Sequence, residues 1–437
     1  MKFLNTMHIT LIAGARPNFM KIAALIHAIE RHNESAKKRV NELTHERVNE
    51  AAKRVEYRLV HTGQHYDKNM SDTFFEELGI PAPDVNLGCG GGTQAEQTAA
   101  IMVAFEKELM AHPTDVVLVV GDVTSTMACS IVAKKLNTKV CHVEAGIRSW
   151  DLTMPEEINR MVTDSLADYM FTTSEVANRN LVRQGALLVE SLAFSDESSS
   201  KVEGGKSLPE DKYAFERVPQ KVWHVGNVMI DTLLANRARF RKPEVWDTLG
   251  LQEKQYIVMT MHRPANVDEE NHLRAMMEQI IDNVHGLPVI FPIHPRTAKL
   301  FYNLWKPTSD SSLKGREVCE DSKDILAKRF PNLHIVEPMG YLEFNYLVER
   351  AKAVVTDSGG ITEETTVMGV PCITLRDNTE RPETCTVGTN ELIGTKPKAI
   401  KPVLDKLFAG EWKKGAIPEL WDGHAAERII SILAEIH

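Results

Sequence analysis

Val116-Val117-Leu118-Val119-Val120-Gly121-Asp122 opens with five apolar residues in an unbroken run. A half-buried strand alternates apolar with polar, whereas a continuous β-branched run fits a strand covered on both faces. The second half of the chain repeats the device as Ala353-Val354-Val355-Thr356-Asp357-Ser358-Gly359-Gly360. Outward from these two, short β-branched runs recur at residues 8–13, 57–61, 139–143 and 169–172, then at 222–225, 256–260, 288–292, 334–336 and 372–375. Longer helical patterns separate them. This alternation predicts an α/β fold of two Rossmann-like, doubly wound parallel-sheet domains facing across a cleft. The length, 437 residues, also exceeds what one compact core usually holds.

The expected division is a first domain over residues 1–188, a polar insertion and linker over 189–220, and a second domain over 221–419. A helix at about 420–437 is expected to pack back on the first domain. The insertion carries Ser198-Ser199-Ser200 and Gly204-Gly205 among many charges, as an exposed segment does. Residues 31–54 are charged, helically spaced and free of Gly and Pro, which predicts a solvent-facing helical extension.

A net charge of −9 argues against a general nucleic-acid or membrane-binding surface. The six cysteines form no CxxC pair and read as reduced thiols of a cytoplasmic protein. No apolar run is long enough to span a bilayer. Asn5, Thr6, His8 and Thr10 make the opening residues too polar for a signal peptide.

Chemistry gathers just after the strands, where open α/β sheets bind ligands. Arg16 and Lys21 follow the first strand, Asp122 and Glu144 two central ones, and His262-Arg263 and His294 two in the second half. Asp357-Ser358-Gly359-Gly360 lies between a buried strand and a helix, with Glu364 in the next turn and Arg381 after the following strand. Two glycines let a backbone approach phosphate closely, and a helix start offers free N–H groups and a positive dipole end. Ser358 adds a hydroxyl, the arginines and Lys21 add charge, and Glu364 suits the two hydroxyls of a ribose. Together they predict a nucleotide-diphosphate grip. Asp122, Glu144 and Glu156 come from three segments. Grouped carboxylates push one another's pKa values apart, giving an acid and a base. No GxGxxG fingerprint occurs, so no redox cofactor is expected. In Cys141-His142-Val143-Glu144 strand alternation splits the donors between two faces, and His61 and His65 around Gln64 read as polar site residues, so no metal is expected either.

The motifs Gly14-Ala15-Arg16-Pro17, His61-Thr62-Gly63-Gln64-His65-Tyr66-Asp67, Gly121-Asp122-Val123-Thr124-Ser125-Thr126, His142-Val143-Glu144-Ala145-Gly146-Ile147-Arg148, Pro155-Glu156-Glu157-Ile158-Asn159-Arg160, His262-Arg263, Asp357-Ser358-Gly359-Gly360 and Thr379-Glu380-Arg381-Pro382-Glu383 run in this order along the chain. As a set they resemble the non-hydrolysing UDP-N-acetylglucosamine 2-epimerases, which have the GT-B fold. The resemblance implies elimination of UDP to a 2-acetamidoglucal and its re-addition with C2 inverted, without NAD or metal. It implies Asp122, Glu144 and Glu156 as acid–base carboxylates and His262 near phosphate and sugar. Arg16, Lys21, Ser358, Gly359, Gly360, Glu364 and Arg381 would hold diphosphate and ribose, with Phe344 on the uracil. Many bacterial members also bind UDP-N-acetylglucosamine as an activator, which would involve Gln64, His65, Arg263 and His294. The family is commonly dimeric, so a homodimer is expected.

Two motifs depart from the pattern. Pro264-Ala265-Asn266 follows His262-Arg263 where Arg-Glu-Asn is common, and Met339 stands where Gln is common. A related branch acts on UDP-2,3-diacetamido-glucuronate and tends to lack the Arg-Pro kept here as Arg381-Pro382. The rival readings are that branch, a GT-B glycosyltransferase using a UDP-sugar donor, and a catalytically silent sugar-nucleotide binding protein.

Overall fold

The computed structural model describes residues 6–42, 53–63, 75, 77–189, 220–293, 301–302, 305 and 325–436. They divide into two compact units. The first draws on Met1–Tyr66, Pro83–Gly226 and Ala426–His437; the second draws on Asp67–Ala82 and Asn227–Ala425.

The first unit holds strands β1 (Thr6–Ala13), β2 (Arg54–His61), β3 (Val85–Asn86), β4 (Val116–Val120), β5 (Lys139–Val143), β6 (Tyr169–Thr172), β7 (Leu187–Leu188) and β8 (Lys221–His224). They form one sheet in the order β3-β2-β1-β4-β5-β6-β8-β7, every pair parallel. The central strand β4 is fully covered, with no residue more than 1% exposed. Helices Gln94–Ala111 and Thr124–Lys135 supply part of that cover through Ile101, Phe105, Leu109, Ala128 and Val132. A capping box, Thr93 with Glu96, starts the first of these helices. Register pairs Val120 with Val143, so Gly121-Asp122 and Glu144 leave the same sheet edge side by side.

The last helix, Ala425–Ile436, completes this unit. It buries Ile429, Ile430, Ile432 and Leu433, pairs Glu427 with Arg31 at 2.9 Å, and sends Arg428 to the Val225 carbonyl at 2.9 Å.

The second unit holds β9 (Ile257–Thr260), β10 (Val289–Pro292), β11 (Leu333–Val336), β12 (Ala353–Thr356), β13 (Cys372–Thr374) and β14 (Asn390–Leu392), again all parallel, in the order β11-β10-β9-β12-β13-β14. Helices Tyr341–Arg350 and Gly359–Met368 flank it. A short piece of the first half joins this unit: Glu77 accepts the Tyr341 amide at 3.2 Å and lies 3.6 Å from Arg241.

The expected fold class is therefore the observed one, with two wholly parallel sheets. Three details differ from the sequence reading. The strand expected at 222–225 pairs with β6 and so belongs to the first sheet, because a run of apolar residues marks a strand but not its neighbour. The main segment of the second unit begins at Asn227. The charged helix reaches Glu42, but strand β2 has already begun at Arg54, where Val55 turns inward. The insertion at 190–219 lies outside the described residues. Among the described residues no helix is long and apolar enough to cross a membrane.

Candidate active site

At the carboxyl edge of the first sheet, Asn18 fixes the start of the helix Arg16–Glu42. Its side chain accepts the Ala15 amide at 3.1 Å and donates to the Val120 carbonyl at 2.9 Å. Arg16 opens that helix; its side chain lies outside the described residues. Further along, Lys21 places Nζ 2.6 Å from Glu144 Oε2, the two side chains being 11% and 2% exposed. Gly121 sits against this pair with φ +72°, and a Cβ there would lie 3.2 Å from Lys21 Nζ. The positive φ favours glycine at 121, and a Cβ there would press on the Lys21–Glu144 pair. Glu144 itself has φ +70°, rare for a side-chain-bearing residue. Bonds from its own amide and that of Ala145 to the Phe171 carbonyl, at 2.9 and 3.1 Å, hold it there.

Asp122 pairs with Arg160 at 2.5 Å, and its carbonyl accepts from Asn159 at 2.8 Å. Arg160 also holds Glu157, whose carboxylate takes the Ser149 amide, the Ser149 hydroxyl and the Trp150 amide, each at 3.0 Å. Glu157 is buried and organises the loop before its helix. Glu156, the sequence candidate, is the outward member of the pair.

Beneath these residues lies a fully buried cluster. His142 Nδ1 donates to Asp164 at 2.6 Å and Nε2 to the Gly121 carbonyl at 2.9 Å. Asp164 also accepts the Gly146 amide at 3.1 Å and pairs with Arg148 at 2.7 Å. Burial alone would raise the Asp164 pKa, but the His142 ring and then Arg148 outweigh it and hold it below the ordinary value. The cluster clamps the backbone before Asp122 and after Glu144. His61 is buried, stacks on Phe19 and accepts the Gly63 amide at 3.1 Å. Gln64, His65 and His294 lie outside the described residues.

In the second unit Asp357, fully buried, ties the end of β9 to the glycine turn. It accepts the backbone amides of His262 at 3.0 Å and Arg263 at 2.9 Å and the Asn266 side chain at 3.1 Å, and meets the His262 ring at 2.8 Å. Burial would raise its pKa; the His262 ring and these donors overcome that and bring it down to about 2. The His262 ring remains 61% exposed.

The helix Gly359–Met368 begins at the turn, and the Ser358 hydroxyl makes no capping bond to it. A Cβ on Gly359 would meet nothing closer than Glu380 Oε1 at 3.8 Å and Arg376 Nη1 at 3.9 Å; on Gly360 it would meet Met229 Cε at 3.6 Å. These are ordinary contacts, so packing within the fold does not demand glycine at either place. Glycine here leaves the free amides of a helix start open to close approach from outside.

One helical turn on, Glu363 pairs with Arg381 at 2.5 Å and accepts from Asn227 at 2.8 Å. Glu364 is buried and accepts the Tyr341 hydroxyl at 2.9 Å. Burial pushes its pKa from 4.5 up to about 7, with the Tyr341 bond opposing and Glu363 adding to the rise. Phe344 sits half-buried on the neighbouring helix, packed with Met339 and Ile361 against the Tyr256–Leu347 core. Glu380 links Arg376, at 2.7 Å, to Arg263, at 3.9 Å.

A family model described as UDP-N-acetylglucosamine 2-epimerase matches residues 47–434. The chain belongs to the UDP-N-acetylglucosamine 2-epimerase family. Among its relatives in that family, the UDP-N-acetylglucosamine 2-epimerase of Methanocaldococcus jannaschii is 36% identical over 98% of this chain and 99% of that one. The UDP-2,3-diacetamido-2,3-dideoxy-D-glucuronate 2-epimerase of Pseudomonas aeruginosa is 33% identical over 89% of this chain and 88% of its own. The crystal structure of the M. jannaschii epimerase in complex with UDP-GlcNAc and UDP matches with a TM-score of 0.73 and 34% identity, over 98% of this chain and 100% of that chain.

For an epimerase-family chain the structure adds residues that sequence reading passed over. Arg160 and Tyr341 pair with the candidate residues Asp122 and Glu364, Asn18 holds the Val120 carbonyl ahead of Gly121-Asp122, and Arg376 Nη1 lies 3.9 Å from where a Cβ of Gly359 would be. Arg376 carried a usable signal, since it follows the apolar run at 372–375 directly. Tyr341 carried none, because a tyrosine early in an amphipathic helix is ordinary. Among the described residues no group of three or more His, Cys, Asp or Glu side chains is placed to hold a metal ion.

Proposed function

We propose that the protein interconverts UDP-N-acetylglucosamine and UDP-N-acetylmannosamine by eliminating UDP and adding it back with C2 inverted. The observation that carries this reading is the Ser358-Gly359-Gly360 turn, which no packing within the fold requires to be glycine, with the buried acceptor Glu364 one turn beyond. Diphosphate against the turn and ribose at Glu364 match the two ends of a nucleoside diphosphate. In this reading Ser358, Gly359, Gly360, Arg381 and His262 hold the phosphates, helped by Arg16 and Lys21, and Phe344 packs on uracil. Asp122, Glu144 and Glu156 divide the proton transfers at C2 and at the leaving oxygen. Each positioned acid or base contributes about 10²–10⁴-fold. The departing UDP gains charge, so cations around it stabilise the transition state more than the ground state. A homodimer and an activator site using Gln64, His65, Arg263 and His294 belong to the same proposal.

Incubation with UDP-N-acetylglucosamine alone in deuterated water tests the chemistry. Deuterium at C2 and appearance of the manno epimer are expected; recovery of fully protonated substrate would refute it. The P. aeruginosa relative supports a second reading, in which the sugar is a 2,3-diacetamido-glucuronate. Turnover measured on both UDP-sugars separates the two.

A further inference from the structure

The amino end of the helix Gly359–Met368 has a guanidinium lying against it. Arg376 leaves β13, and its side chain is only 5% exposed. Nη2 is engaged by Glu380 at 2.7 Å and by Asn378 at 3.3 Å. Nη1 is buried, has no hydrogen-bond partner among the described residues, and lies 3.9 Å from where a Cβ of Gly359 would be. Two costs meet here. A buried donor without a partner is expensive. A cation beside a helix amino end also sits at the wrong pole of the dipole. Glu380 offsets the charge but leaves Nη1 unfilled. The glycine at 359, which the fold itself does not need, lies just in front of that nitrogen. An anion seated on the Gly359 backbone resolves all three features at once.

We propose that Arg376 donates through Nη1 to the diphosphate of the nucleotide, with Glu380 orienting the guanidinium. The inference rests on the UDP-sugar reading above and adds a phosphate ligand to it. Arg381, whose Nε is committed to Glu363, and Arg376, whose Nη2 is committed to Glu380, then share one design: an acidic partner aims each guanidinium. A planar fork held in this way loses little freedom on binding.

The test uses the full chain with Arg376→Gln and Arg376→Lys, measuring UDP by calorimetry and uridine by ligand-observed NMR. Loss of one charge-assisted donor predicts UDP binding weaker by about 10- to 100-fold in Arg376→Gln, with uridine binding changed by less than about twofold. Arg376→Lys keeps a cation opposite Glu380 but not the second donor, so it is expected to fold where the Gln variant does not and to lose about tenfold for UDP. UDP affinity unchanged in both variants overturns the inference, as do equal losses for UDP and uridine, which mark a purely structural role. A wild-type protein that takes up no UDP overturns the proposed function and this inference with it. Wild-type binding with unaffected variants overturns the inference alone.

Discussion

Replacing Glu364 by Gln removes a proton-binding site while keeping the shape and the acceptor that meets the Tyr341 hydroxyl. In the folded protein the Glu364 pKa is pushed from 4.5 up to about 7, chiefly by burial at 5% exposure. A carboxyl whose folded pKa is raised favours the native state when protonated. That contribution is fully present below pH 4.5 and is lost as pH rises through about 7. At about 1.4 kcal/mol per pH unit, the loss is about 3 kcal/mol. The variant has no such proton to lose. Its stability relative to wild type should therefore improve by about 3 kcal/mol between pH 4 and pH 8, measured by urea unfolding of both proteins without ligand. Other groups titrate alike in the two proteins and cancel in the difference. Binding should run the other way. Ribose hydroxyls donate to an ionised carboxylate, so wild-type UDP affinity is expected to fall by up to about tenfold per pH unit below pH 7. Subtracting the variant's profile removes the titration of UDP itself. A stability difference that stays flat with pH, or identical UDP profiles, would refute the role given to Glu364.

Lys21→Met takes away the cation 2.6 Å from buried Glu144. Breaking a buried pair costs about 3–5 kcal/mol, so the thermal unfolding temperature should drop, and kcat should fall in steady-state turnover. Gly121→Ala forces a Cβ into φ +72° at 3.2 Å from Lys21 Nζ. It should cost about 1–2 kcal/mol by thermal unfolding and lower kcat in steady-state turnover. Gly360→Ala meets only Met229 Cε at 3.6 Å, so its melting temperature should hold while UDP binding weakens. Thr93→Ala breaks the capping box of Gln94–Ala111, and differential scanning calorimetry should show a loss of about 1 kcal/mol without any change in turnover.

Much of the fold was legible because short, β-branched apolar runs such as Val116–Val120, bounded by turn residues, fit strands covered on both sheet faces. All eleven runs read as strands are strands of the structure. The three that escaped notice, Val85–Asn86, Leu187–Leu188 and Asn390–Leu392, are two or three residues long, too short for any period to register. Sheet membership escaped as well: nothing local to Lys221–His224 says that its partner is β6. In the site, residues just after strands could be listed from sequence because topology brings such positions to one edge. Which member of Glu156-Glu157 turns inward could not, since adjacent residues at a helix start differ by only one step around the axis. Partners such as Arg160 and Tyr341 depend on distant segments meeting, and Asp357 looked like part of the phosphate grip until its acceptors proved filled by the β9 end loop.

The helix Ala425–Ile436 bears on how the polypeptide is made. It supplies core to the first unit, yet a ribosome delivers it after the whole of Asn227–Ala425. At about 5–20 residues per second the wait lasts on the order of tens of seconds. During that interval the residues around Arg31 and Val225 stand without Glu427 and Arg428. The second unit, whose own segments are all synthesised by then, has the opportunity to finish first. A nascent chain stalled just past Ala425 would hold every segment of the second unit while the first unit still lacked its last helix.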